Sequence, residues 1–173
     1  MRALYPHIRK FRRSQSGAAL VEFGISLPLI LILAFGMIES MRLLWSFQAA
    51  VAGVRDATRY VARTERDNIC IPSTGTLDIS DADLVRMVTT SINGGAIFPA
   101  GITVTGVTAT LNCTNTKTTP FNVELRQAVV PVVTVTANLT MQFPMTAVFR
   151  LAGGDGWGTI NTSVVEQARI YGL

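Results

Sequence analysis

Histidine is almost missing from this chain. Its one copy, His7, lies among the first 17 residues, so the remaining sequence has none. Without imidazole, Ser-His-Asp and Cys-His catalysis lose their proton carrier, and His-based metal sites lose their ligand. Lysine is nearly as scarce. Beyond residue 17 only Lys117 remains, in a polar stretch, which argues against a Ser–Lys pair. No G-x-x-x-x-G-K-[ST] or G-x-G-x-x-G run is present, so no phosphate-cradling loop is legible. Asp78, Asp81 and Asp83 stand close together, but their spacing is not that of an EF-hand loop. Two of them fit the first turn of a helix better, where the dipole favours acids. These absences point away from an enzyme, a cofactor, a metal and a small-molecule substrate. Internal repeats are absent too.

Acidic residues are missing from residues 1–17, which contain Arg2, Arg9, Lys10, Arg12 and Arg13. The formal net charge of +4 is therefore uneven. With those five cations set aside, 10 of the 15 Lys and Arg remain against all 11 acids, a formal charge of −1. The basic balance is thus a property of the leader and does not argue for nucleic-acid binding. By the positive-inside rule it holds the N-terminus on the cytoplasmic side.

The stretch after the leader is long and apolar. Residues 18–38 read AALVEFGISLPLILILAFGMI, enough to span a bilayer as a helix. Glu22 is out of place there. A carboxylate in hydrocarbon costs roughly 2.5 kcal/mol or more, so it calls for a partner. Cleavage after Gly17 would supply one, an amino terminus at Ala18 about one helical turn away or that of a neighbouring subunit. A carboxylate this near the helix start can also snorkel to the interface, which leaves a second account of Glu22 open.

The pattern of Gly17, Ala18, Glu22 and Phe23, the apolar helix with Pro28, and then FGMIES and QAAVAGVRDATRYVAR closely resembles the TadE-like family. These are pseudopilins or minor pilins of the bacterial Tad (tight adherence, Flp) pilus. The resemblance is dense over residues 14–63 and thin afterwards. Phe23 stands where the major pilins of that system usually carry Tyr. The resemblance implies cleavage after Gly17 by a prepilin peptidase, an intramembrane aspartate protease. It implies pairing of Glu22 with a mature N-terminus, and a role in type IV pilus assembly and surface adhesion. The implied partners are the inner membrane, the peptidase, other Tad pilins and minor pilins, and the assembly platform.

Other readings of the N-terminal region compete with this one. A secretory signal peptide needs a shorter core and a small-x-small site, which MIESMRLLW does not offer. Arg12-Arg13 suggests a twin-arginine signal, but Gln15 and Ser16 come next, where apolar residues are wanted. A plain uncleaved anchor, carrying an extracytoplasmic binding module, explains the basic flank and the apolar run but not Glu22. A type II secretion or type IV pseudopilin shares the cut but not the FGMIES-like continuation.

Past residue 38 the pattern becomes amphipathic. Phe47, Val51, Val54 and Val61, with Thr58, recur on one helical face, and Arg55, Arg59 and Arg63 form a column on another. Glu39 with Arg42, and Asp56 with Arg59, are spaced to pair at i, i+3. Pro28 predicts a kink. Residues 64–80, broken by Pro72 and Gly75, read as a loop. Ser80 caps a helix over 81–92, which Asn93-Gly94-Gly95 ends. Strands are predicted over 102–113, with a bulge at Gly106, and over 133–143, where apolar and polar residues alternate strictly. Pro131 is read as preceding that second strand and Pro144 as stopping it. A short helix over 145–151, a Gly-rich turn over 153–158 and a last strand over 159–171 complete the pattern.

Two cysteines, Cys70 and Cys113, fall in the part assigned to the exterior, where an even count favours one disulfide. The alternative is two thiols. Asn112, Asn138 and Asn161 fit the N-glycosylation pattern, which matters only in a eukaryotic secretory pathway. The expected architecture is α+β: a basic leader over 1–17, a transmembrane helix over 18–38, and its amphipathic continuation over 39–63. An extracytoplasmic head with a small antiparallel sheet covers 64–173. The expected location is the bacterial inner membrane, single-pass, with the head periplasmic or carried into the pilus.

Overall fold

The computed structural model describes residues 16–71, 75–115, 128–143 and 158–172. Five elements succeed one another: α1 (Ser16–Thr64), α2 (Asp81–Thr89), β1 (Ile102–Asn115), β2 (Val129–Gln142) and β3 (Thr159–Arg169). The layout is α+β, with one long apolar N-terminal helix and one three-stranded antiparallel sheet in the order β1-β2-β3.

At 49 residues α1 is about 74 Å long. Its two halves live in different surroundings. No residue from 17 to 38 is buried, although most are large and apolar. From Glu39 onward one stripe is covered: Glu39, Ser46, Ala50, Val54, Ala57, Thr58 and Val61. Spacings of three, four and seven keep this stripe on one face, and that face carries the head. Small residues let the head come close. A Cβ built on Gly53 would sit 3.1 Å from both Cα and the carbonyl oxygen of Val88, so α1 and α2 nearly touch there. Thr58 does not leave a buried hydroxyl unsatisfied, because its Oγ1 donates to the Val54 carbonyl at 2.7 Å. Phe47, predicted for the covered face, is 38% exposed, being one position beyond Ser46 on the helix surface.

Pro28 lies inside α1, which continues through it without a break in assignment. Helix α2 begins as the sequence predicts. The Ser80 hydroxyl accepts from the Asp83 amide at 3.1 Å, and Asp81 and Asp83 occupy the first turn. It ends at Thr89, three residues before Ile92, because Thr90 turns extended and bridges to Ala96.

The sheet lays its apolar face on α1 and α2. In β2 the side chains of Val133, Val135, Ala137, Leu139 and Met141 are buried, while Asn138 and Gln142 are exposed. Each full-sized apolar side chain removed from water contributes about 1.5–3 kcal/mol. The bulge expected at Gly106 is present as a register shift between Val104 and Gly106. Strand boundaries need correction, and β1 runs on to Asn115, past the expected end at Cys113. β2 starts at Val129, so Pro131 stands inside the central strand, not before it. Its missing N–H is tolerated near the strand end, where its carbonyl accepts from the Ile170 amide at 2.9 Å. β3 ends at Arg169, and residues 170–172 turn back onto the end of α1. The expectations on the leader, Pro72, Lys117, Pro144, the 145–151 helix and the turn up to Trp157 fall outside the described residues.

Cys70 and Cys113 form a disulfide with a Cα–Cα distance of 5.8 Å. It ties the chain just after α1 to the far end of β1.

Candidate functional site

The residues singled out by sequence gather on the first two turns of α1. Gly17 and Ala18 are already helical and exposed, and a side chain on Gly17 would meet nothing within 4 Å. Glu22 lies four residues beyond Ala18, so both are on one face of the helix. Glu22 is exposed and has no hydrogen-bond or ion-pair partner among the described residues. Phe23 is 60% exposed. Among the described residues, the only carboxylate of this helix before Glu39 therefore has no polar partner beside it. Around it Leu20, Val21, Ile25 and Leu29 all face outward. By length and composition α1 is a candidate membrane anchor. An apolar surface this extensive needs lipid or other helices around it.

A second set of polar residues joins this helix to its head, and sequence spacing exposes only part of it. Glu39 and Arg42 pair at 3.1 Å, as predicted. The same guanidinium donates through Nη2 to the carbonyl of Ala100 at 2.7 Å, a partner 58 residues away. Higher on the helix Arg55 pairs with Glu166 of β3 at 3.5 Å. No ion pair joins Asp56 to Arg59, contrary to the spacing argument; both side chains are exposed.

Three contacts close the upper end of α1. Buried Glu65 accepts from the Asp78 amide at 2.7 Å. The Tyr171 amide donates to the Ala62 carbonyl at 3.0 Å, satisfying one of the carbonyls a helix end leaves open. Arg63 Nε donates to the Tyr171 hydroxyl at 3.2 Å. None of these had a local sequence signal, since each partner lies on a separate segment. Asp78, Asp81 and Asp83 do not converge: among the described residues no group of three potential ligands could hold a metal.

The model of the TadE-like protein family matches residues 17–59. No curated protein and no solved structure matches the chain. The match starts at Gly17, covers the exposed apolar half of α1 and stops within the half that carries the head. It leaves the sheet outside. Over residues 17–59 the long helix is thus similar to TadE-like proteins.

Proposed function

We propose that this protein is a structural subunit of the Tad pilus, a pseudopilin or minor pilin cut after Gly17 by a prepilin peptidase. The observation that carries this reading is Glu22, an exposed carboxylate without a partner among the described residues on the apolar first half of α1, one turn from Ala18. Hydrolysis of the Gly17–Ala18 peptide bond would create an ammonium at Ala18. That ammonium, its own or a neighbour's, would neutralise Glu22 and lower the cost of holding it among apolar helices. The basic leader keeps the cut site on the cytoplasmic side, and the disulfide-bearing head lies outside the cytoplasm. The helix surface suits lipid before assembly and other pilin helices after it. The partners on this reading are the peptidase, other Tad pilins and the assembly platform.

The test is pilus formation in a strain whose own copy is deleted. Restored piliation by wild type and its loss with Glu22→Leu, at equal protein level and equal cleavage, supports the pairing role. Full piliation with Glu22→Leu rules it out.

A further inference from the structure

The apolar surface of α1 does not stop at Ile38. On the face opposite the head, Met37, Met41, Leu44 and Trp45 are exposed, at 69%, 72%, 58% and 74%. Spacings of four, three and one place them on one side of the helix, directly across from buried Glu39, Ser46 and Ala50. This stripe continues the lipid-sized run below it, and it ends on a tryptophan, the side chain enriched at membrane–water interfaces. Counted from Ala18 to Leu44, the run is 27 residues or about 40 Å, close to the ~40–45 Å of a bilayer with its headgroups.

The head shows the same level from its own side. Arg42, three residues before Trp45, bonds the Ala100 carbonyl, so Ala100, at the end of the 96–100 loop, lies beside the helix at this height. That loop reads AIFPA, and Ala96, Pro99 and Ala100 are exposed. The neighbouring end of the sheet carries Ile102, Met141 and Ile160 in register, and Ile160 is 38% exposed. Among the described residues, 92–115, 128–143 and 158–165 bear no charge. On α1 the next charged residue after Arg42 is Arg55, about 20 Å farther along. Among the described residues, Glu39 and Arg42 join opposite charges at this height, 3.1 Å apart. An arginine with an apolar stem and a polar head suits the headgroup layer.

We propose that the outer bilayer interface lies at residues 42–45, not at residue 38, with the adjoining end of the head, at Ala100, seated in the lipid headgroup layer. The occupant of this surface is lipid, because the exposed stripe Met37, Met41, Leu44 and Trp45 is continuous with the membrane-spanning face. The inference rests on the reading that α1 crosses the bilayer, so the experiment checks that reading separately.

The full chain is placed in phosphatidylethanolamine–phosphatidylglycerol vesicles with Trp157→Phe, leaving Trp45 as the only fluorophore of its kind. Lipids brominated near the headgroup end of the acyl chain serve as one quencher and acrylamide in water as the other. A second sample carries Leu31→Trp with Trp45→Phe and Trp157→Phe. A third carries a nitroxide on Ala100→Cys. The proposal expects Trp45 to be quenched by the brominated lipid and shielded from acrylamide, and the label at position 100 to be shielded from an aqueous nickel chelate. If Leu31→Trp is lipid-quenched but Trp45 and the label are open to water, the interface lies lower and the proposal is overturned while the span stands. If Leu31→Trp is not lipid-quenched, the span itself is wrong and the proposal falls with it. Shielding without lipid quenching means that a second copy covers the face, which also overturns it.

Discussion

Arg42 reaches Ala100 at 2.7 Å, and this hydrogen bond joins the long helix to the lower end of its head. The same guanidinium pairs with Glu39, whose carboxylate is almost fully covered. Replacing it removes a charged donor from two acceptors at once. Arg42→Ala is expected to lower the stability of the head by about 1–3 kcal/mol, the usual cost when a buried acceptor loses its donor. Arg42→Lys restores charge but not the fork geometry and falls between. Thermal unfolding in detergent micelles measures both. An unchanged midpoint for Arg42→Ala would remove the junction from the account.

Gly53 sets how closely α1 and α2 approach. Its missing Cβ leaves room for Val88 backbone atoms only 3.1 Å from where that carbon would be. Gly53→Leu is expected to destabilise the head by roughly 1–3 kcal/mol, as overpacking does, despite leucine's better helix propensity. Hydrogen exchange should show faster opening of α2 in this variant, with the sheet less affected.

The Cys70–Cys113 disulfide closes a loop of 43 residues. In the chain-entropy view a loop of that size contributes about 4 kcal/mol. Reduction, or the paired change Cys70→Ser with Cys113→Ser, should lower the denaturation midpoint of the head accordingly. Wild type with and without reductant, compared with the double variant in both conditions, gives the measurement. Only wild type should respond to reductant.

Glu65 is a buried acid that accepts the Asp78 amide at 2.7 Å. Glu65→Ala leaves that amide without its carboxylate, at an expected cost of about 1–3 kcal/mol, whereas Glu65→Gln keeps a carbonyl acceptor and costs less. Chemical denaturation of the three proteins side by side orders them. Equal stability of the Ala and Gln variants would contradict the role assigned to this bond.

Local periodicity made much of this architecture readable. The all-round apolar run over 18–38, the strict alternation of Val133 to Met141 and the Ser80 cap each arise from a few neighbouring residues, and each is present. The candidate site on the first turns of α1 was singled out because a lone carboxylate stands out among apolar neighbours. Pro131 misled because a proline usually marks a strand boundary. Here its carbonyl, not an N–H, makes the contact with the chain after β3. Phe47 misled because helical spacing assigns a face but not its width. The bonds of Arg42 to Ala100 and Glu65 to Asp78, and the return of Tyr171 to α1, were invisible: the helix geometry that aligns them is local, but their partners are set by the folded head.

Cleavage between Gly17 and Ala18 is the claim on which the assembly role of Glu22 depends. The N-terminus of the protein made together with its cognate prepilin peptidase tests it most directly, with Gly17→Leu as the control. The account predicts a mature chain starting at Ala18, and an uncut chain in the variant. A chain that still starts at Met1 in both would contradict it and leave an uncleaved membrane anchor carrying an extracytoplasmic head.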